Sequence, residues 1–314
     1  MSPAEVFSLR QCTSILGAYD IVVVCPANMN VAAYKEISTA ITFCQIDPWW
    51  QSSYRNFNRL KISPLLYWKF RRYDYILFYE LDAFVFRDEL DKWCQAGYDY
   101  IGAPWFDGFD CCSNDSPFLG VGNGGFSLRR ISAALRVLRS FAYLRKPQLM
   151  RRLSHNAGPP SSHAVMAMTD PGVLRVHRDN MSPGICPDML PPLLLQKRLG
   201  QRPSIRKRRA LDNLIAVAAR GLVLGNNTFY PLNDFDGHED LFWGLIARRN
   251  FNWFKVASFD EARKFSFEGN PRKLFELNGN QLPFGCHSWQ KYDPEFWAAH
   301  ITQNLKPIFN SAIC

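Results

Sequence analysis

At 314 residues, with 47% apolar side chains, the chain is long enough to bury a large core as one α/β domain or two smaller ones. Its net charge of +9, from 37 basic and 28 acidic residues, suits an anionic partner: a nucleotide diphosphate, an anionic membrane surface or nucleic acid. No apolar run reaches membrane-spanning length; the nearest, Leu211 to Gly225, is broken by Asp212, Asn213 and Arg220. The N-terminus lacks the basic-then-apolar layout of a signal peptide. Nine scattered cysteines without paired CxxC motifs argue against a structural zinc site and read as reduced thiols of a cytoplasmic protein.

Residues 1–18 carry little signal. Asp20 to Pro26 is a short β-branched run that predicts a first strand. From Asn28 to Cys44, the positions Val31, Tyr34, Ile37, Ile41 and Cys44 recur at helical spacing, so a helix is expected there. Asp47 to Arg59 reads as an aromatic, polar loop, and Pro64 to Arg72 as a short helix with proline near its start. The centre of the pattern is YILFYELDAFVF, Tyr75 to Phe86. Tyr75 to Tyr79 is a buried strand by composition, and Glu80 and Asp82, two apart at its end, project the same way. Carboxylates beside so much apolar surface need a cation or hydrogen bonds, and Mn²⁺ or Mg²⁺ takes oxygen ligands of this kind. A strand end meeting water or an arginine is the plainer reading.

After Phe86, Asp88 can cap a helix to about Ala96, ended by Gly97. Tyr98 to Pro104 predicts a third strand, followed by a loop from Trp105 to Gly120 that holds Asp107, Asp110 and Asp115. In Val121 to Arg129, VGNGGFSLR, the glycines permit close backbone approach, but neither the Walker nor the Rossmann spacing is present. A basic helix is expected from Ile131 to about Arg145. Lys146 to Arg209 is rich in proline and arginine, ending in Arg206 to Arg209, and residues 146–220 read as an irregular or helical insertion or lid. Asn233 to Asp240 is an acidic loop opening onto a helix from Glu239 to about Arg248, and Phe254 to Ser258 is a candidate strand. Pro283 to Trp289 forms a rigid aromatic turn around His287, a setting in which a histidine is ordinarily structural.

In order, these pieces resemble GT-A glycosyltransferases: a strand ending in acid-x-Asp, a GNGGFSLR segment, His-Glu-Asp before a helix and a C-terminal histidine. The wording YILFYELDAFVFRDEL, YDYIGAPW, VGNGGFSLR, HEDLFW and PFGCHSW is similar to a bacterial family of glycosyltransferase-like proteins of poorly defined substrate, often associated with surface-polysaccharide synthesis. The resemblance implies an α/β fold of the GT-A (Rossmann-like) type: a mixed central sheet flanked by helices, in one domain over 1–314 interrupted by the basic, proline-rich insertion. It also implies metal-dependent transfer of a sugar from a nucleotide-diphosphate donor to a glycan or lipid-linked hydroxyl.

In that scheme Asp82, His287 and Glu80 hold Mn²⁺ or Mg²⁺. Pro26, Asn28, Asn58, Arg59, Glu80, Leu81 and Asp82 contact the nucleotide-sugar. Trp105, Asp107, Asn123, Gly124, Gly125 and His238 shape the acceptor pocket. Glu239 or Asp240 is the base, Glu239 slightly preferred on motif order, and a base implies inversion at the anomeric carbon. Glu80 stands where many GT-A enzymes have Asp and the narrower family often has an uncharged Gln, so ribose or base contact is its alternative role. The competing readings are a metal-dependent nucleotide-sugar hydrolase, an inactive relative, and a basic protein binding membrane or nucleic acid through Arg202 to Arg209. The last stretch has no interleaved aromatics, so no nucleic acid is expected. A cytoplasmic location, with peripheral attachment to the inner membrane through the basic insertion, completes the expectations.

Overall fold

The computed structural model describes residues 1–108, 112–140 and 237–304; Asp110 and the stretch 146–220 lie outside them. Two compact units divide the chain, one formed by Met1–Pro48, Tyr73–Ile131 and Asp240–Cys314, the other by Trp49–Arg72 and Ser132–Glu239. The first unit is a mixed α/β body of several small sheets.

The chain starts in a helix, Pro3–Ile15, which the sequence reading missed. Its signal is a capping box: the Glu5 N–H donates to Ser2 Oγ and the Ser2 N–H to the Glu5 carboxylate, with Pro3 in the first turn. Two buried polar side chains tie this helix to the segment after the acidic motif. Ser8 Oγ donates to the Ala83 carbonyl at 2.6 Å and Gln11 Nε2 to that of Val85 at 2.8 Å. A polar group out of water keeps its hydrogen bond, so these contacts hold the Ala83–Val85 backbone in place.

Strand β1 (Val22–Pro26) pairs in parallel with β2 (Thr42–Ile46), residue by residue from Val22 opposite Thr42 to Pro26 opposite Ile46. The expected helix over 28–44 is therefore corrected. Only Ala32–Ile37 is helical, and Ser38 turns extended at φ −156°. Ser38 Oγ then accepts from the Ala40 N–H, an alternative to continuing the helical ladder, and TFCQI enters the strand.

Strand β3 (Tyr75–Tyr79) lies antiparallel to β8 (Phe126–Arg130), whose other edge holds β5 (Tyr100–Ile101). Strand β4 (Phe84–Val85) pairs with β10 (Gly285–Cys286), and β10 runs parallel to β9 (Ser266–Phe267). Strands β6 (Ala103–Phe106) and β7 (Phe118–Gly122) form an antiparallel pair with an irregularity after Trp105. Phe254 to Ser258, expected as a strand, contributes only a bridge from Val256 to Tyr100, while the Lys255 N–H is taken by the Asp99 carboxylate. Phe126, Phe265 and Phe284 pack at centroid distances of 5.3–5.5 Å and seal the sheet ends. Gly285 makes room for them, because a Cβ there would meet the Phe126 ring at 2.2 Å.

The second unit contains the helices Tyr54–Lys61 and Pro64–Lys69. The first of these replaces the loop expected over 47–59. Ser53 caps it by accepting from the Asn56 N–H, a signal masked by the aromatic composition. The helix Ile131–Leu138 agrees with the start of the expected basic helix; its continuation to Arg145 lies outside the described residues. The expected helix from Glu239 is present, but as a turn Glu239–Leu241, a π-helical stretch Phe242–Ala247 and a last turn Arg248–Asn250. Among the described residues no helix is long and apolar enough to cross a membrane. The described cysteines, Cys12, Cys25, Cys44, Cys94, Cys112 and Cys286, are free thiols.

Candidate metal centre

The end of β3 and the end of β10 deliver the acidic motif and His287 to one place. Glu80, Asp82 and His287 each present a ligand atom, and these atoms lie within 4.8 Å of one another. His287 Nε2 is 3.1 Å from Asp82 Oδ1 and 3.8 Å from Glu80 Oε2. The backbone explains the convergence: the Glu80 N–H donates to the Gly125 carbonyl, and the His287 N–H to that of Phe267. Ser288, at φ 51°, adds a hydrogen bond from its hydroxyl to Asp82 Oδ2 at 3.2 Å.

The other ring nitrogen has its own partner. His287 Nδ1 lies 2.7 Å from Glu268 Oε1, and Glu268 Oε2 accepts from the Trp105 indole N–H at 2.9 Å. An imidazole that donates Nδ1–H to a carboxylate leaves Nε2 as the lone-pair nitrogen for a metal. The second face of the ring rests on Gly125, where a Cβ would stand 2.0 Å from Nε2. Gly125 is held by its neighbour: Asn123, at φ 75°, accepts the N–H groups of Gly125 and Phe126 on its own side-chain oxygen. Asparagine tolerates this left-handed backbone better than most residues.

The electrostatics follow from the cluster. Burial disfavours the charged imidazole, but its hydrogen bonds to Asp82, Glu268 and Glu80 outweigh that and hold the His287 pKa well above the ordinary histidine value. Burial pushes the Asp82 carboxyl up, but the hydrogen bond and the charge of His287 together outweigh it, leaving Asp82 below the ordinary carboxylate value. Two carboxylates and an imidazole, one side open at Asp82, with the tautomer set from behind, fit a divalent cation of the Mn²⁺ or Mg²⁺ class.

Other expected site residues fall as follows. Asp240 is buried in the first unit, its Oδ2 accepting from the Gly124 N–H at 3.0 Å and its Oδ1 from that of Leu241. Asp107 is half-buried, its N–H bonded to the Pro117 carbonyl, and Leu81 is half-buried beside the acids. Pro26 ends β1 and Asn28 is exposed in the turn after it. In the second unit Glu239 is buried and paired with Lys61 at 3.4 Å, and its N–H donates to Asn58 Oδ1. Arg59 is buried there too, and His238 is exposed with Nδ1 2.8 Å from the Tyr54 hydroxyl. Glu80, Asp82, Gly125 and His287 are thus gathered in one cluster, with Trp105 joined to it through Glu268. Glu268 itself escaped the sequence reading. Its signal is a lone acid ending an apolar run in FSFEGN, the same cue that marked Glu80 and Asp82.

No curated protein and no solved structure gives a match to the chain. A family model described as "Protein of unknown function (DUF5672)" matches residues 40–165 and 204–287, a span that contains all of Glu80, Asp82, Gly125, Asp240, Glu268 and His287. On that match, the protein belongs to the DUF5672 family.

Proposed function

We propose that the protein is a metal-dependent glycosyltransferase of the GT-A type, moving a sugar from a nucleotide-diphosphate donor to a hydroxyl of a glycan or lipid-linked acceptor. The observation that carries this reading is the strand-end pair Glu80 and Asp82 converging on an imidazole whose far nitrogen is already bound by Glu268. A bound Mn²⁺ or Mg²⁺ would supply Lewis-acid neutralisation of the charge that grows on the leaving diphosphate. Asp82 and His287 would hold it, Glu268 would fix the imidazole tautomer, and Gly125 would keep the ring face clear. Asp240 is the better-placed base of the adjacent pair. Its carboxylate stands on the Gly124–Gly125 turn that backs His287, whereas Glu239, the one favoured by motif order, is engaged by Lys61. A carboxylate accepting the acceptor proton implies inversion.

The test is thermal stabilisation of the full chain by a panel of nucleoside diphosphates, with and without Mn²⁺. A ligand that binds only the folded state raises the melting point by mass action. A Mn²⁺-dependent shift with one nucleotide is expected and would name the donor's base. No shift with any of them would sink the proposal. Product analysis with and without a sugar acceptor separates transfer from hydrolysis of the donor.

Two further outcomes belong to the same site. Glu268→Gln is expected to weaken Mn²⁺ binding by about 10–100-fold, the usual cost of losing a carboxylate behind a metal-bound histidine, with only a small change in the melting point of the metal-free protein. Titration of the metal by its electron paramagnetic signal would measure it. The pH dependence has a definite sign. His287 is protonated in the metal-free protein to above its unfolded pKa of about 6.5, and metal must displace that proton, so Mn²⁺ affinity should rise with pH. Without metal, the stability that His287 contributes is complete below that unfolded value and is lost as pH rises through the higher folded one. Melting curves between about pH 6 and 8, with and without Mn²⁺, should diverge as pH increases.

A further inference from the structure

We infer that Ser288 sets which divalent ion the metal centre prefers. Its hydroxyl occupies one oxygen of Asp82, and so turns the site toward a compact octahedral ion and against Ca²⁺. The inference rests on the metal centre of the glycosyl-transfer reading and on nothing in its sugar chemistry. The two oxygens of Asp82 have different surroundings. Oδ1 lies 3.1 Å from His287 Nε2, the ring nitrogen that the Glu268 contact leaves as an acceptor. Oδ2 accepts from the Ser288 hydroxyl at 3.2 Å. Ser288 is 9% exposed, so little water competes for that hydroxyl, whereas the Asp82 side chain is 42% exposed. The hydroxyl also rests against the imidazole, 3.3 Å from Nδ1 and 3.5 Å from Nε2. One side chain therefore touches both residues proposed to hold the ion.

The backbone holds the hydroxyl in place. Ser288 has φ 51°, a left-handed conformation that glycine adopts freely and serine only at a steric cost. Contacts on both sides fix it: the His287 N–H donates to the Phe267 carbonyl, and the Ser288 carbonyl accepts from the Lys291 and Tyr292 N–H groups. A glycine would make the same backbone contacts with less strain; what it would lack is the hydroxyl. Ion size turns that hydroxyl into selectivity. Ca²⁺ gathers about six to eight oxygens at about 2.3–2.6 Å and accepts both oxygens of one carboxylate. Mg²⁺ demands near-octahedral geometry at about 2.0–2.1 Å and keeps several waters, and Mn²⁺ shares the octahedral preference. With Oδ2 committed to Ser288, Asp82 offers Oδ1 alone. The small ions lose nothing by this, and Ca²⁺ loses an oxygen.

The test is a competition at one pH. Mn²⁺ bound to the full chain is followed by its electron paramagnetic signal while Ca²⁺ or Mg²⁺ displaces it. Ser288→Ala keeps the Cβ and removes the hydroxyl. It should weaken Mn²⁺ and Mg²⁺ together by about tenfold, the lower end of the usual cost of losing a hydrogen bond to a metal ligand. Ca²⁺ affinity should hold, because Oδ2 is released to it. The ratio of Ca²⁺ to Mg²⁺ affinity should therefore rise about tenfold, with the Mg²⁺ to Mn²⁺ ratio unchanged. Ser288→Gly, which also relieves the left-handed backbone, should show the same change of ratio. Equal weakening of all three ions in both variants would make Ser288 a structural support and overturn the proposal. A changed ratio in Ser288→Gly alone would overturn it too, by assigning the selectivity to the backbone. Failure of the wild-type protein to bind Mn²⁺ would remove the metal centre and this role together. The expected ratios without any Mn²⁺-dependent nucleotide shift would leave the role of Ser288 standing and remove the transferase reading alone.

Discussion

Asp82→Ala is expected to abolish Mn²⁺-dependent nucleotide binding and to lower sugar transfer by about a thousandfold. The magnitude follows from the charge stabilisation a divalent ion supplies, several kcal/mol, at about 1.4 kcal/mol for each factor of ten in rate. The fold should survive, because the Asp82 side chain is 42% exposed and its protein partners are the Ser288 hydroxyl and the His287 ring. Thermal shifts with Mn²⁺ and nucleotide, beside transfer rates at saturating donor, read both effects. A variant that keeps wild-type metal dependence would move the ligand role away from Asp82. Glu80→Gln then decides between the two roles open to Glu80. Weaker Mn²⁺ binding assigns it to the metal; unchanged Mn²⁺ binding with weaker nucleotide binding assigns it to the ribose or base.

The second large effect is steric. Gly125→Ala places a methyl group 2.0 Å from His287 Nε2, far inside contact distance, and the ring is held at both nitrogens: Glu268 holds its Nδ1 and Asp82 faces its Nε2. Gly125 has no positive φ, so the cost is overpacking and not backbone strain. Overpacking a tight interior typically costs about 1–3 kcal/mol, and here the displaced group is the proposed metal ligand, so stability and Mn²⁺ binding should fall together. Gly279→Ala is the contrasting variant. It carries φ +67° with nothing within 4 Å of the added Cβ, so it should lose stability through strain while Mn²⁺ binding stays intact. Melting points and Mn²⁺ titrations of both variants give the comparison. A Gly125→Ala protein with wild-type metal affinity would mean that His287 does not occupy this position.

Local pattern was enough for the pieces that depend on neighbours in the chain. The run Tyr75–Tyr79 is a strand by composition, Pro64 opens a short helix, and Glu80 and Asp82 share a direction because a strand end has period two. Where two local rules compete, sequence alone misjudged. Ile41 and Cys44 sit at helical spacing from Tyr34 and Ile37, yet pairing of β2 with β1 along five residues outweighs a weak helical periodicity. The capped helices Pro3–Ile15 and Tyr54–Lys61 were hidden by composition, although Ser2 and Ser53 carry ordinary caps.

What the sequence determined by itself is the chemistry on offer: two acids at a strand end, a glycine pair, a His-Glu-Asp run and a histidine in a rigid turn. What only the tertiary structure decided is which of these meet. Glu268 and His287 are brought together because β9 and β10 are parallel neighbours, and Gly125 backs the ring because β8 lies against β3. Such contacts between residues far apart in sequence are set by sheet register and by the packing of Phe126, Phe265 and Phe284 around it. A one-residue slip would turn every one of these side chains to the opposite face, and no local pattern in the chain records that register.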